Sequence, residues 1–215
     1  MTKSEILKVA KPILFNTEMV RAILDGRKTM TRQVIKPQPQ GHFEVSENPI
    51  YIYDTDFSQG KIMPPYQTGD ILYVRETWYL TDCLGLQNGY IYKASVDERQ
   101  LRILEKTTGI IPKWYPSIHM PKEVARIFLK VTDVRVERLQ DMTEDDAIKE
   151  GFVEDSIEND DTNINFMCSV DCLQGTAKGK FAFLWNKTIK KQDMKMYGWD
   201  ADPLVWTIEF ERVGA

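Results

Sequence analysis

Between Ala125 and Leu139 the apolar residues Ile127, Leu129, Val131, Val134, Val136 and Leu139 alternate with polar ones, and the alternation shifts once, near Thr132-Asp133. A period of two places successive side chains on opposite faces of a strand, and a one-residue shift inside it is the mark of a bulge or bend that re-aims the second half. The pattern therefore predicts one long bent strand, an element suited to a small barrel.

Other segments agree with a mixed, mostly antiparallel architecture. Ile71 to Trp78 is an apolar run bounded by charge and introduced by the turn Thr68-Gly69-Asp70, so it reads as a buried, central strand. Leu204 to Glu211 alternates as a closing strand. Thr31 to Ile35, Ile50 to Tyr53 and Tyr90 to Tyr92 are shorter strand candidates, the first ended by Lys36-Pro37-Gln38-Pro39-Gln40-Gly41. Thr143 is placed to cap a helix from Glu144 to about Glu150, with Gly151 ending it. Phe181, Phe183, Leu184, Trp185 and Ile189 have the spacing of a helix packed on the core.

A chain of 215 residues can bury one substantial core, and residues 1–215 read as a single domain with insertions at 37–65, 79–122 and 152–180. No apolar run approaches the roughly 20 residues of a spanning helix, and the N-terminus has no signal-like apolar segment, which predicts a cytoplasmic setting without membrane contact. Cys83, Cys168 and Cys172 are odd in number, and with His42 and His119 they match no zinc spacing, so neither a disulfide framework, a metal nor a cofactor is expected. The net charge of −4 argues against a protein that coats nucleic acid by bulk positive charge. Charge is nevertheless uneven. Asp141 to Asp161 carries ten carboxylates against Lys149, whereas Arg21 to Lys36 carries five cations against Asp25. A small basic pocket on an acidic body suits a compact polar or anionic ligand.

That basic stretch contains the densest candidate chemistry. Met19, Val20, Ile23 and Leu24 recur at helical spacing, Asn16 or Thr17 can cap the start, and Gly26 can close the helix at positive φ. Arg27, Lys28, Thr29, Thr31 and Arg32 follow, three charges and two hydroxyls in six positions. In a regular strand Lys28 and Thr31 would face opposite ways. If Lys28 remains in the turn, its ammonium and the Thr31 hydroxyl can converge.

Four blocks together resemble an ASCH domain of the PUA-like superfamily, in one of its longer bacterial and phage-associated forms. They are Pro12 to Arg32, around Leu24-Asp25-Gly26-Arg27-Lys28-Thr29; Gly69 to Trp78; Ala125 to Gly151; and Phe181 to Arg212, with Leu184-Trp185-Asn186 and Trp206-Thr207-Ile208-Glu209-Phe210-Glu211. They span about half the chain. The resemblance implies an α+β fold, a mostly antiparallel PUA-like pseudo-barrel with a few flanking helices, and a cleft that binds RNA or a modified nucleoside. Small bacterial members hydrolyse the acetyl amide of acetylcytidine with a lysine, a threonine and a glutamate, which by motif position fall on Lys28, Thr31 and Glu150.

Amide hydrolysis is reasonable chemistry for such a trio. A threonine hydroxyl attacks only when a neighbour takes its proton, which a desolvated lysine can do, while a charged lysine would instead stabilise the oxyanion, with Arg32 assisting. Glu150 would hold the lysine or shuttle the proton to the leaving amine. Arg27, Thr29 and Arg32, with Arg75, Glu76 and Trp78 from the Gly69 block, are candidate substrate contacts; Arg75 and Glu76 read equally as a cross-strand ion pair. Two other functions fit the sequence: a noncatalytic RNA-binding module using the same turn, and a phage or mobile-element interaction protein working through the acidic insertion.

Overall fold

The structure is a computed structural model that describes residues 2–39, 42–47, 49–54, 60–80, 89–97, 99, 101–102, 106, 113–153 and 175–214. In chain order its strands are β1 (Lys11–Leu14), β2 (Met30–Val34), β3 (Phe43–Glu47), β4 (Ile50–Asp54), β5 (Lys61–Ile62), β6 (Ile71–Arg75), β7 (Trp78–Leu80), β8 (Tyr90–Tyr92), β9 (Phe128–Arg138) and β10 (Leu204–Val213). The helices are α1 (Lys3–Val9), α2 (Thr17–Leu24), α3 (Glu144–Lys149), α4 (Ala177–Thr188) and α5 (Met194–Tyr197), with several single 3₁₀ turns. The fold is α+β with mostly antiparallel sheets. It divides into two compact units built from interleaved segments.

The first unit comprises Met1–Gly26, Gly69–Val131 and Phe210–Ala215. Here β6 lies between β1 and β9, the central position its apolar run predicts. Its pairing with β1 is parallel, Lys11 opposite Leu72, and with β9 antiparallel, Leu72 opposite Leu129. Thr2 and Glu5 form a capping box on α1, and the Asn16 side chain caps α2 through Met19 N–H. Ile6, Ala10, Tyr73, Trp78, Met120, Val124, Ala125 and Phe128 form the core.

The second unit comprises Arg27–Thr68 and Thr132–Glu209. Its sheet runs β9, β10, β2, and β3, β4 and β5 form a separate three-stranded antiparallel sheet. Leu139, Met142, Ala147, Phe181, Trp185, Trp199 and Val205 build the core. The Thr143 side chain and Asp146 form a capping box on α3, and Gly151, at φ +100°, closes it. β9 shows the predicted shift: Leu129 and Val131 are buried, the next buried position is Val134, and the break at Thr132 coincides with the division between the units.

Within the segment read as an insertion at 152–180, α4 starts at Ala177, where the Thr176 side chain caps it through Gly179 N–H at 3.0 Å. Cys83, Cys168 and Cys172 and residues 154–174 of the insertion read at 152–180 lie outside the described residues.

Candidate functional site

Gly26, at φ +76°, ends α2 and turns the next residues off the helix. Arg27, Lys28 and Thr29 then meet the C-terminal end of α3. An α-helix leaves its last carbonyls without intrahelical donors, and this turn reaches three successive carbonyls at and just beyond the end of α3. Arg27 Nη1 donates to Gly151 O at 2.9 Å, Lys28 Nζ to Glu150 O at 2.9 Å, and Thr29 N to Lys149 O at 2.8 Å. Residues 122 positions apart are thereby held side by side.

Lys28 Nζ also donates to Met30 O at 2.7 Å and to Glu150 Oε2 at 2.7 Å. The register of β2 explains the first contact. Ile35 N donates to Leu204 O and Val34 stands opposite Val205, so hydrogen-bonded pairs recur at Ile35, Gln33 and Thr31, and the Met30 carbonyl points away from β10. Lys28 occupies that outer edge. Its side chain is 0% exposed and that of Glu150 2%. Burial, the largest influence, pushes the Lys28 ammonium below its ordinary value; the Glu150 charge and hydrogen bond oppose this, and the Arg32 charge adds to it.

Arg32 completes the cluster. Its Nη1 lies 3.6 Å from Glu150 Oε1 and donates to Met30 Sδ at 3.2 Å, while Nη2 reaches Glu137 Oε2 at 3.0 Å and Asp146 Oδ2 at 3.2 Å. Two polar atoms stay unspent: Glu150 Oε1 and Arg32 Nε are buried without a hydrogen-bond partner among the described residues. Behind them Arg135 binds Glu137, Glu209 and Asp133 at 2.5, 2.6 and 3.1 Å, and Thr207 Oγ1 donates to Glu137 at 2.8 Å. Burial pushes Glu137 up, but the hydrogen bonds of Arg135 and Thr207 with the charges of Arg32 and Arg135 hold it below the usual carboxylate range. For Asp146 burial likewise pushes up, and the Thr143 capping bonds with the Arg32 charge bring it lower.

The structure thus joins Lys28, Glu150 and Arg32 directly. Thr31 is buried at 8% exposure between Met30 and Arg32, and the pleat turns its side chain to the other face of β2. Arg27 and Thr29 are exposed at the turn. Arg75, Glu76 and Trp78 belong to the first unit, where Arg126 takes both Glu76 oxygens at 2.8 and 2.9 Å, Arg75 Nη2 donates to Ile118 O, and Trp78 stacks on Tyr115. Glu137, Asp146, Arg135, Thr207 and Glu209 had not been singled out by sequence. The sole signal for them was the polar parity of β9, Asp133, Arg135 and Glu137, with Asp146 three residues after a capping threonine.

Among the described residues no group of three His, Cys, Asp or Glu is arranged to hold a metal, and no helix is long and apolar enough to cross a membrane. Comparison of the chain with protein-family models, with curated proteins and with solved structures finds no match.

Proposed function

We propose that this chain is an ASCH-type protein on a PUA-like pseudo-barrel that recognises a nucleoside or RNA base and hydrolyses an N-acyl amide on it, such as that of acetylcytidine. One observation carries the reading: the Lys28–Glu150 contact at 2.7 Å, a desolvated amine against a carboxylate, on the turn that leads into the strand bearing Thr31, the alcohol that the resemblance makes the nucleophile. Thr31 Oγ attacks the acyl carbon, and its proton passes by way of a bridging water to the Lys28–Glu150 pair. The tetrahedral oxyanion faces the cations of the cluster. As the C–N bond breaks, the pair returns the proton to the leaving nitrogen, and water then cleaves the acyl-threonine ester to release the acid and restore Thr31. Thr31 is the most open of the three, at 8% exposure, so substrate meets the alcohol first. Exposed Arg27 and Thr29 supply rim contacts, and no step is assigned to Arg75, Glu76 or Trp78.

The near-complete enclosure of the pair favours a second reading, the noncatalytic RNA-binding module, in which Lys28 and Glu150 only fasten the turn to α3. Incubation with acetylcytidine separates the two. Hydrolysis predicts cytidine and acetate release that is lost in Thr31→Ala and Lys28→Ala. Absence of release, or release indifferent to both substitutions, overturns the hydrolase and leaves the module.

A further inference from the structure

The net charge of −4 conceals one strongly cationic surface in the second unit. Residues 187–197 hold Lys187, Lys190, Lys191 and Lys195 against Asp193 as the sole carboxylate. All four lysines are exposed, and so is Lys36, whose Nζ stands 4.6 Å from the Tyr197 ring centroid and so belongs to the same face. Lys36, Lys190, Lys191 and Lys195 have no ion-pair partner among the described residues. Met196 beside them is 55% exposed. Ammonium groups gathered along one short segment repel one another, and that cost is relieved by a polyanion whose charges repeat at short intervals.

We infer that this face docks the sugar–phosphate backbone of single-stranded RNA, so that the nucleobase acted on arrives within a strand and not as a free nucleoside. The inference rests on the reading of the Lys28 site as a base-recognising one. Secondary structure selects the partner. α5 has four residues and the segment before it is a 3₁₀ turn, too short to enter a duplex groove or to lie as an amphipathic helix in a membrane interface. A flexible strand needs neither, and Tyr197 with Met196 offers stacking and apolar contact between the cations. Lys36 also connects the face to the candidate site. It follows β2, whose other end begins just after Lys28, so at most about 28 Å of chain separates the two lysines, a span of a few nucleotides.

The test uses the full chain and a fluorescent 12-nucleotide RNA, titrated at several salt concentrations beside Lys190→Gln/Lys191→Gln/Lys195→Gln. Each phosphate neutralised contributes about 0.7 to the log–log salt slope for a single strand, so the triple variant should lose about 2 from the slope and about tenfold or more in affinity. Its thermal unfolding and its turnover of free acetylcytidine should match the parent. Unchanged RNA affinity and slope in the triple variant, or no RNA binding by the parent at low salt, overturns the inference. Lysine-dependent binding to phosphatidylserine vesicles without RNA binding also overturns it, and assigns the face to a membrane surface. Lysine-dependent RNA binding with no turnover of acetylcytidine, free or within the strand, sustains the docking face and sinks only the hydrolase.

Discussion

Two carboxylates are buried to nearly the same degree in this protein, Glu76 at 1% exposure in the first unit and Glu150 at 2% in the second, and their partners treat them differently. Arg126 grips Glu76 with Nε and Nη2 at 2.8 and 2.9 Å, spends Nη1 on Ser95 Oγ, and lays its guanidinium 4.0 Å from the Tyr92 ring centroid. Every oxygen of Glu76 has a donor. Glu150 has one satisfied oxygen and one bare one, a lysine that is wholly enclosed, and an arginine held back at 3.6 Å by two other acids. It also sits at the C-terminal cap of α3, where the helix dipole disfavours a negative charge. A saturated fork is a latch. A buried pair at an unfavourable helix end with one oxygen unspent retains an acceptor for a further donor, which is why the second cluster is the candidate for chemistry.

The largest expected effect breaks the second cluster at its cation. Lys28→Met leaves the Glu150 carboxylate enclosed without its principal donor, a change that costs about 3–5 kcal/mol when one partner of a buried pair is removed. Urea denaturation measures it. Replacing both groups, as Lys28→Met/Glu150→Leu, should recover most of the loss while leaving acetylcytidine turnover absent. A single substitution costing less than about 1 kcal/mol would show that water already reaches the pair.

Breaking the latch should cost less and touch no chemistry. Arg126 is 28% exposed, so Arg126→Met admits solvent toward Glu76, and the expected loss is about 1–3 kcal/mol. Turnover per folded molecule should stay at the parental level. A drop in turnover with a raised KM would erase the distinction between the two carboxylates and return Glu76 to the substrate contacts.

Thr31 sharpens the contrast because its alcohol can be removed at nearly constant shape. Thr31→Val should change stability by no more than about 1 kcal/mol, since β-branching suits β2, yet it should abolish turnover, while Thr31→Ser retains a measurable fraction. Turnover surviving in Thr31→Val would assign the nucleophile elsewhere.

How much of this was legible in the sequence depends on the range of each interaction. The α2 cap at Asn16, the stops at Gly26 and Gly151, and the Thr143 cap are local chemistry and stand as read. The strand at Ile71 and its central position followed from an apolar run that no exposed strand could bear. The parallel pairing of β1 with β6 left no signal, because a parallel register is set between segments about 60 residues apart. Lys28 beside Glu150 was suggested by family resemblance alone, and the structure supplies the reason: consecutive turn residues donate to consecutive carbonyls running from the last residue of α3 to Gly151. Glu137 and Arg135 escaped because alternation sorts side chains by face without naming their partners. The lysines after Lys187 were hidden inside an acidic total.

The smallest effect concerns pH and the acids behind Arg32. Glu137 and Asp146 are held below their ordinary values of 4.5 and 3.8 in the folded chain, so the unfolded chain binds more protons as pH falls past those values. Their stabilisation is complete above about pH 5 and is lost as pH drops through the depressed values. Thr207 tunes this from beneath the sheet, since its hydroxyl donates to Glu137 at 2.8 Å and it is itself wholly buried. Thr207→Val keeps the shape and removes the donor, so the Glu137 carboxyl rises toward 4.5 and the acid-unfolding midpoint should move up by roughly a few tenths of a pH unit. The stability cost of the same substitution should add to that of Arg126→Met, because the Thr207–Glu137 and Arg126–Glu76 contacts share no partner. Non-additive costs would mean that the two clusters unfold as one cooperative network, and the contrast drawn between them would fail.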